Sequence, residues 1–441
     1  MEPLPLLRLD ASPASHEAAP ALTWSDLAFA GILAIVAFAA YAAFAIRLAQ
    51  GQYMDYYNLA FDFDPPRYVA LLAHDVYERG NVKHPLILLL RPLAWPLLAA
   101  GVAPKAAAGL VMAGSGAASV AVVFLFLRSL AVATGIAAAL AALFAVSGTQ
   151  IFTAMIPEAY GPAAFGIACV WLLAVWRLAD LRHGRTLRFA VALLGYGITT
   201  TNLMQPLFAE GLAWLRHRGL RGAIVPMMRY GAIVGGVCVV VTAIVWFDEL
   251  RAFLADPVAV AKEVYWQRTK GDRVGLFDTV LRLVGYTVVP PEFVTYRLPE
   301  GIDMWDFRTP LFAPLAAVAS IAWHLFWLVG AIAALLRPAT RWLAAGLATM
   351  LLVNIVFHLD FQYRGSVYLY AAHTHFLVFA LGAGLAPALR PGSLAARAYL
   401  GAVLALVVLV GATTFDRAGT LAAAFDTVKV DCAAPCTEPS R

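Results

Sequence analysis

Charge is what this sequence has least of: 13% of its 441 residues are Asp, Glu, Lys or Arg, where soluble domains carry about one quarter. With 62% apolar residues and a mean hydropathy of +0.76, an ordinary soluble protein is excluded. No small-residue cleavage site breaks the first apolar run early, so an uncleaved helix is expected behind residues 1–24. No repeat of fixed period and no low-complexity stretch beyond alanine-rich helix interrupts the chain, which predicts a single transmembrane domain over 1–441. Cysteine is scarce. Cys169 and Cys238 fall inside apolar runs as small core residues, whereas Cys432 and Cys436, in CAAPC, either close a small disulfide loop or stay as thiols.

Apolar runs of about 20 residues recur along the chain, which predicts an all-α polytopic membrane protein. Spans are expected at 26–49, 106–127, 131–147, 160–176, 188–203, 203–215, 223–246, 311–335, 341–358, 372–389 and 397–415, about eleven in all. GYGITTTNLMQPLFAEG is too polar and too short for two standard spans, so broken or re-entrant helices are expected between Arg188 and Trp214.

The net charge of +5 is a topology signal rather than a sign of nucleic acid, because the basic residues sit in short alternate connections. These hold Arg128; Arg177, Arg182, Arg185 and Arg188; Arg216, Arg218 and Arg221; Arg337 and Arg341; and Arg390 and Arg397. Such loops face the cytoplasm, and the amino terminus with them. The intervening stretches 50–105, 248–310 and 359–371 hold almost all the acids and are expected outside, as is the tail 416–441.

The first outer loop concentrates Asp55, Asp62 and Asp64 beside aromatics directly after the first span. Asp64 before Pro65 and Pro66 reads as a helix start, and Gly80 as its terminator. On that helix Tyr68, Leu71, Leu72 and Val76 share one face, and Arg67, His74, Asp75, Glu78 and Arg79 the other, as in a helix lying along an interface. The proline-broken KHPLILLLRPLAWPLLAAG reads as a second interfacial segment. Asp64 is a plain cap on one reading. On the other, an ionised carboxylate at a helix start beside lipid binds a cation or accepts a proton, with Asp62 pointing the same way and Asp55 a weaker third candidate.

A first span entering from the cytoplasm, an acid-bearing first outer loop with interfacial helices, and a long later outer loop resemble the GT-C superfamily of membrane glycosyltransferases. FDFDPPRY, residues 61–68, resembles the aspartate-proline motif of the oligosaccharyltransferase catalytic subunit. KHPL, residues 83–86, is similar to the His-Pro first-loop segment of the lipid-linked aminoarabinose and protein mannosyl transferase branch. IPEAYGP, residues 156–162, resembles the Pro-Glu element at the next outer turn. The chain departs from oligosaccharyltransferases in lacking their tryptophan-rich acceptor motif and large carboxy-terminal soluble domain, which argues against protein N-glycosylation. The resemblance implies a polyprenyl-phosphate sugar donor, a lipid or glycan acceptor of the cell envelope, and a site on the extracytoplasmic face of the cytoplasmic membrane. Nothing glycine-rich suits a nucleotide, and no redox cofactor is expected.

That reaction needs a carboxylate base and cations at the departing phosphate. Asp64, or failing it Asp62, would take the acceptor proton, with inversion implied by the resemblance. Substrate-binding candidates are Asp55, Arg67, Lys83, His84, Glu158, Arg268, Lys270, Arg364, His373 and His375. Arginine's fork suits phosphate best, and Arg364 ranks ahead of the 248–310 cations, which lie among ten acids and eight bases. The 358–375 segment packs His358, Asp360, Arg364, His373 and His375 at a span boundary, where ionisable groups tend to be functional. Tyr368 and Tyr370 are expected to be ordinary interfacial anchors. Two-residue spacing puts His373 and His375 on different helix faces, so no shared metal is expected there. Glu158 is a helix-start acid, a supporting residue or a metal ligand, and a divalent ion held by Asp62, Asp64 and Glu158 requires that they converge.

Two other functions fit less well. A transporter or lipid flippase would also have many spans and broken helices near Thr199–Gln205, but its ionisable groups should lie at mid-membrane depth. A membrane acyltransferase using His358 or His373 lacks a His-acid pair at a recognisable spacing.

Overall fold

A computed structural model describes residues 22–73, 87–245, 247–262, 273–297, 303–362 and 365–426. Helix α1 (Trp24–Gln50) begins with a reciprocal cap, the Thr23 N–H donating to Asp26 Oδ2 at 2.9 Å and the Asp26 N–H to Thr23 Oγ1 at 3.2 Å. Two short helices follow in the first connection, α2 (Pro65–Ala73) and α3 (Arg91–Ala99). Pro104 opens α4 (Pro104–Ser129), where its missing N–H costs nothing. Arg128 at the far end of α4 donates to Asp26 at 2.6 Å, which ties the first end of α1 to the last end of α4.

Helices α5 (Thr134–Ala145) and α6 (Gly148–Met155) form one path bent by 60°. Helix α7 (Tyr160–Ala179) is the most enclosed of the spans. Helix α8 (Leu187–Ile198) then meets a tight turn, Thr200–Leu203, and α9 (Met204–Val245) returns toward the starting face before breaking at Gly219, whose φ of +64° suits glycine. Arg188 at the start of α8 and Arg177 at the end of α7 both bond Glu210 on α9, so α8 and the first part of α9 form a hairpin folded back on itself. The long later connection holds α10 (Phe247–Ala255), α11 (Leu276–Val280) with a π-helical turn, and a β-hairpin of β1 (Val294–Arg297) and β2 (Asp303–Asp306) paired antiparallel, Thr295 opposite Trp305. Helices α12 (Pro314–Leu336), α13 (Arg341–Asp360), α14 (Ala372–Gly382) and α15 (Leu394–Ala424) complete the bundle.

The expected eleven spans are not found as such. Among the described residues seven helices are long and apolar enough to cross a membrane, or eight with the bent α5–α6 pair as one. Helix α8, with 12 residues, rises about 18 Å, and α14, with 11, rises less, against a hydrocarbon core of about 30 Å. The break expected between Arg188 and Trp214 is present. Ile32, Ile35 and Val36 on α1, Ile321 and Leu325 on α12, and Leu404 and Val408 on α15 are exposed, as lipid-facing stripes require.

Charge separates to the two ends of the bundle. One end holds Arg128 with Asp26, Arg177 and Arg188 with Glu210, and Arg216 beside Arg341. The other holds Lys105 with Asp55 at 2.6 Å, Arg47 with Asp426 at 3.3 Å and Arg273 with Asp360 at 2.7 Å. Cys238 is buried and Cys169 half-buried, while Cys432 and Cys436 lie outside the described residues.

Helices α12 and α14 cross where small residues let backbones touch, as in membrane helix packing. A Cβ added at Gly330 would lie 1.8 Å from the Gly382 carbonyl oxygen. Gly330→Ala should therefore cost about 1–3 kcal/mol, read as a lower thermal midpoint in detergent. An unchanged midpoint would mean that the two backbones lie farther apart.

Candidate functional site

The connection between α1 and α4 meets the connection before α7 at one point. Before α2 the chain runs through Asn58, Phe61 and Asp62, all with φ near +60°. The left-handed region costs a non-glycine residue about 1–2 kcal/mol, so something must hold it. Phe61 donates its N–H to the Trp305 carbonyl at 2.8 Å, and Trp305 donates to Leu59 O at 2.9 Å, which adds this segment to the edge of β2. The Phe61 ring is fully buried against Phe152, Phe307 and Tyr368, at 5.2, 4.9 and 5.0 Å between centroids. This aromatic contact secures the loop beyond simple burial of area.

The turn delivers Asp64 to the start of α2. Its Oδ2 pairs with Arg67 Nη1 at 2.7 Å, both side chains about four-fifths enclosed. Its backbone N–H donates to Glu158 Oε2 at 2.9 Å. Glu158 stands just before α7, is 5% exposed, and its second oxygen accepts the Ala159 N–H at 2.9 Å. The Tyr68 hydroxyl donates to the same carboxylate. Burial, and then the nearby Asp64 carboxylate, push the Glu158 pKa up to about 7. Two acids therefore share one corner in different settings: Asp64 one-quarter exposed and matched by a guanidinium, Glu158 enclosed by amides and a phenol.

The remaining candidates sort by position. Asp62 is buried beside this corner, in the turn itself. His373 is buried among rings, 5.6 Å from Tyr160 and 6.2 Å from both Tyr370 and His358 between ring centroids. His375 points elsewhere, into the helical core, with Ser147 Oγ at 2.8 Å and its ring stacked on Phe144 at 4.4 Å. Asp55 lies across α2, where its pair with Lys105 forms the charged end of an otherwise apolar groove of about 460 Å³. Ala49, Met54, Pro66, Val69 and Ala70 line that groove; Asp64 and Glu158 do not. Lys83, His84, Arg268, Lys270 and Arg364 lie outside the described residues. Tyr368 and Tyr370, expected as interfacial anchors, are buried instead, because Phe61 and His358 pack on them. Among the described residues no three His, Cys, Asp or Glu side chains come together as a metal-binding group, so Asp62, Asp64 and Glu158 do not converge as ligands.

Reading the sequence missed two participants. Tyr68 counted as part of the apolar face, yet its hydroxyl serves Glu158. Lys105 was hidden by its place at a span start, although a lone cation opposite an acid-rich loop is a signal in itself. Comparison with known proteins adds no relative: no family model matches the chain, and no curated protein matches it.

The sign of the Glu158 shift fixes a pH dependence. A carboxyl that holds its proton to about pH 7 when folded, but releases it near its ordinary 4.5 when unfolded, contributes stability below 4.5 that is lost as pH rises toward 7. The thermal midpoint should fall between pH 5 and pH 8, and Glu158→Gln, which keeps an acceptor for the Asp64 N–H, should flatten that slope. Equal slopes in the two proteins would assign the titration to another group.

Proposed function

We propose that the chain is a GT-C-type membrane glycosyltransferase that moves a sugar from a polyprenyl-phosphate donor to a lipid or glycan acceptor of the cell envelope. The observation that carries this reading is the Asp64–Arg67–Glu158 corner at the start of α2, at the bundle end opposite the basic connections. The positive-inside rule puts those connections in the cytoplasm and the corner on the extracytoplasmic face of the cytoplasmic membrane.

Asp64 acts as the base. It takes the proton of an acceptor hydroxyl as the oxygen attacks the anomeric carbon, while the bond from that carbon to the phosphate oxygen breaks and the electron pair leaves with the phosphate. One base and one in-line displacement give inversion. Arg67 follows the charge: once Asp64 is protonated its guanidinium loses its partner, and the departing phosphate, a bidentate acceptor, replaces it. Glu158 positions Asp64 through the backbone N–H rather than touching the substrate. The groove beside α2, apolar with the Lys105–Asp55 pair at its rim, suits an isoprenoid chain entering from the membrane. Membrane lipids are the surrounding solvent, and no nucleic acid takes part.

A transporter or flippase is the second reading, favoured by the α8–α9 hairpin that folds back on itself. Against it, the acids and cations of the corner gather at one end.

Asp64→Asn should still fold, with a thermal midpoint lowered by the loss of the charged partner of Arg67, and should lose at least about 10²-fold in sugar transfer. The assay is transfer from undecaprenyl-phosphate sugars in reconstituted membranes. Full turnover in both Asp64→Asn and Asp62→Asn would remove the base assignment, and substrate flux in sealed vesicles without a new glycosidic bond would establish the transporter. Cysteines placed at Arg185 and at Asp303 should react with an impermeant reagent from opposite sides of the membrane, Asp303 from outside.

A further inference from the structure

The turn between α8 and α9 carries four consecutive neutral hydrogen-bonding side chains, Thr199, Thr200, Thr201 and Asn202. Its place is set from both ends. Ile198 packs with Tyr68 and Ala159, the sequence neighbours of Arg67 and Glu158. Gln205 accepts from Trp171 Nε1 at 2.8 Å and donates to the His373 carbonyl at 3.2 Å. The turn thus lies beside the acid corner, between the Tyr68 side and the His373 side.

Its backbone needs no side-chain help. The Thr199 N–H donates to Gly195 O at 3.0 Å and the Asn202 N–H to Thr199 O at 2.9 Å. Yet among the described residues the Asn202 Nδ2 and the Thr199 Oγ1 have no hydrogen-bond partner, although Asn202 is 4% and Thr199 9% exposed. Buried polar groups in native proteins are nearly always satisfied, and those that are not call for an explanation. An apolar residue of the same shape would fit more favourably in the empty protein. Thr200 beside them is exposed, so the turn is open on one side. Amide and hydroxyl groups without formal charge match neutral hydroxyls better than phosphate or carboxylate.

We infer that the Thr199–Asn202 turn is a carbohydrate subsite, in which the Asn202 amide and the Thr199 hydroxyl bind hydroxyls of a sugar ring held beside Asp64 and Glu158. This rests on the reading that the corner handles a sugar, and it adds the groups that recognise one. A site built to bond hydroxyls discriminates strongly against a ligand that lacks them, because its own polar groups are then left unmet.

The test is binding to the full-length protein in lipid nanodiscs, with undecaprenyl-phosphate-linked glucose, mannose and arabinose compared with bare undecaprenyl phosphate. Wild type should bind at least one sugar-bearing lipid more tightly than the bare one. Asn202→Leu should weaken that binding about tenfold, the effect of roughly one lost hydrogen bond. It should leave the bare lipid unaffected and melt no lower than wild type. Thr199→Val and Thr200→Val, each a methyl in place of a hydroxyl, give the same measurement if the leucine variant does not fold. Unchanged sugar-lipid binding in the variants, an equal loss for both kinds of lipid, or a wild type that does not distinguish them would each overturn the subsite. Because binding needs no turnover, the two failures separate. A wild type that discriminates the sugar but transfers none keeps the subsite and refutes the reaction, whereas transfer by the wild type together with unchanged sugar-lipid binding in the variants does the reverse.

Discussion

A single buried carboxylate joins the parts of this protein that sequence separation keeps apart. Glu158 accepts the Asp64 N–H and the Ala159 N–H, so the start of α2 and the start of α7 share one acceptor. In a bundle surrounded by hydrocarbon an amide at such a junction has no water to turn to, and an unmet one would cost several kcal/mol. The bond therefore decides where the loop after α1 ends and which way the Asp64 carboxylate leaves the backbone. Arg67 completes the corner one helical turn on. Replacing that carboxylate with an apolar group would leave the Asp64 amide, the Ala159 amide and the Tyr68 hydroxyl without it together.

The strained loop before Asp64 depends on packing rather than on hydrogen bonds alone. Three left-handed non-glycine residues within five positions are unfavourable in isolation. The Phe61 ring, enclosed by aromatics from α6, from the segment after β2 and from the segment before α14, holds the loop in place. The long later connection is thus a structural partner of the first one, through Trp305 and Phe307, and not a separate appendage.

At the opposite end a different arrangement keeps the hairpin of α8 and α9 folded. Glu210 receives Arg177, Arg188 and the Trp214 indole. Two guanidinium groups on one buried carboxylate form a network whose members are each paired, which is the condition under which buried charge is tolerated. The hairpin's far end, the Thr199–Asn202 turn, is by contrast incompletely satisfied, and it sits next to the acid corner. Rigid attachment at one end and open hydrogen-bonding capacity at the other is an arrangement suited to receiving a ligand.

The apolar runs, their flanking arginines and the acid-rich loops were legible in the sequence, because hydropathy and charge act residue by residue and need no knowledge of partners. They determined a helical membrane protein with its charges divided between two faces, and they singled out Asp64 and Glu158 as residues of interest. The number of spans was not legible. An apolar stretch has the same local composition whether its helix runs on or stops after 12 residues, and only the fold shows where α8 ends and turns into α9. Nor could spacing bring Asp64 to Glu158, 94 residues apart, send Asp55 to Lys105, or place His375 against Ser147 and His373 against Tyr160. Those assignments follow from which helix faces pack together, and packing is a property of the whole chain rather than of any segment.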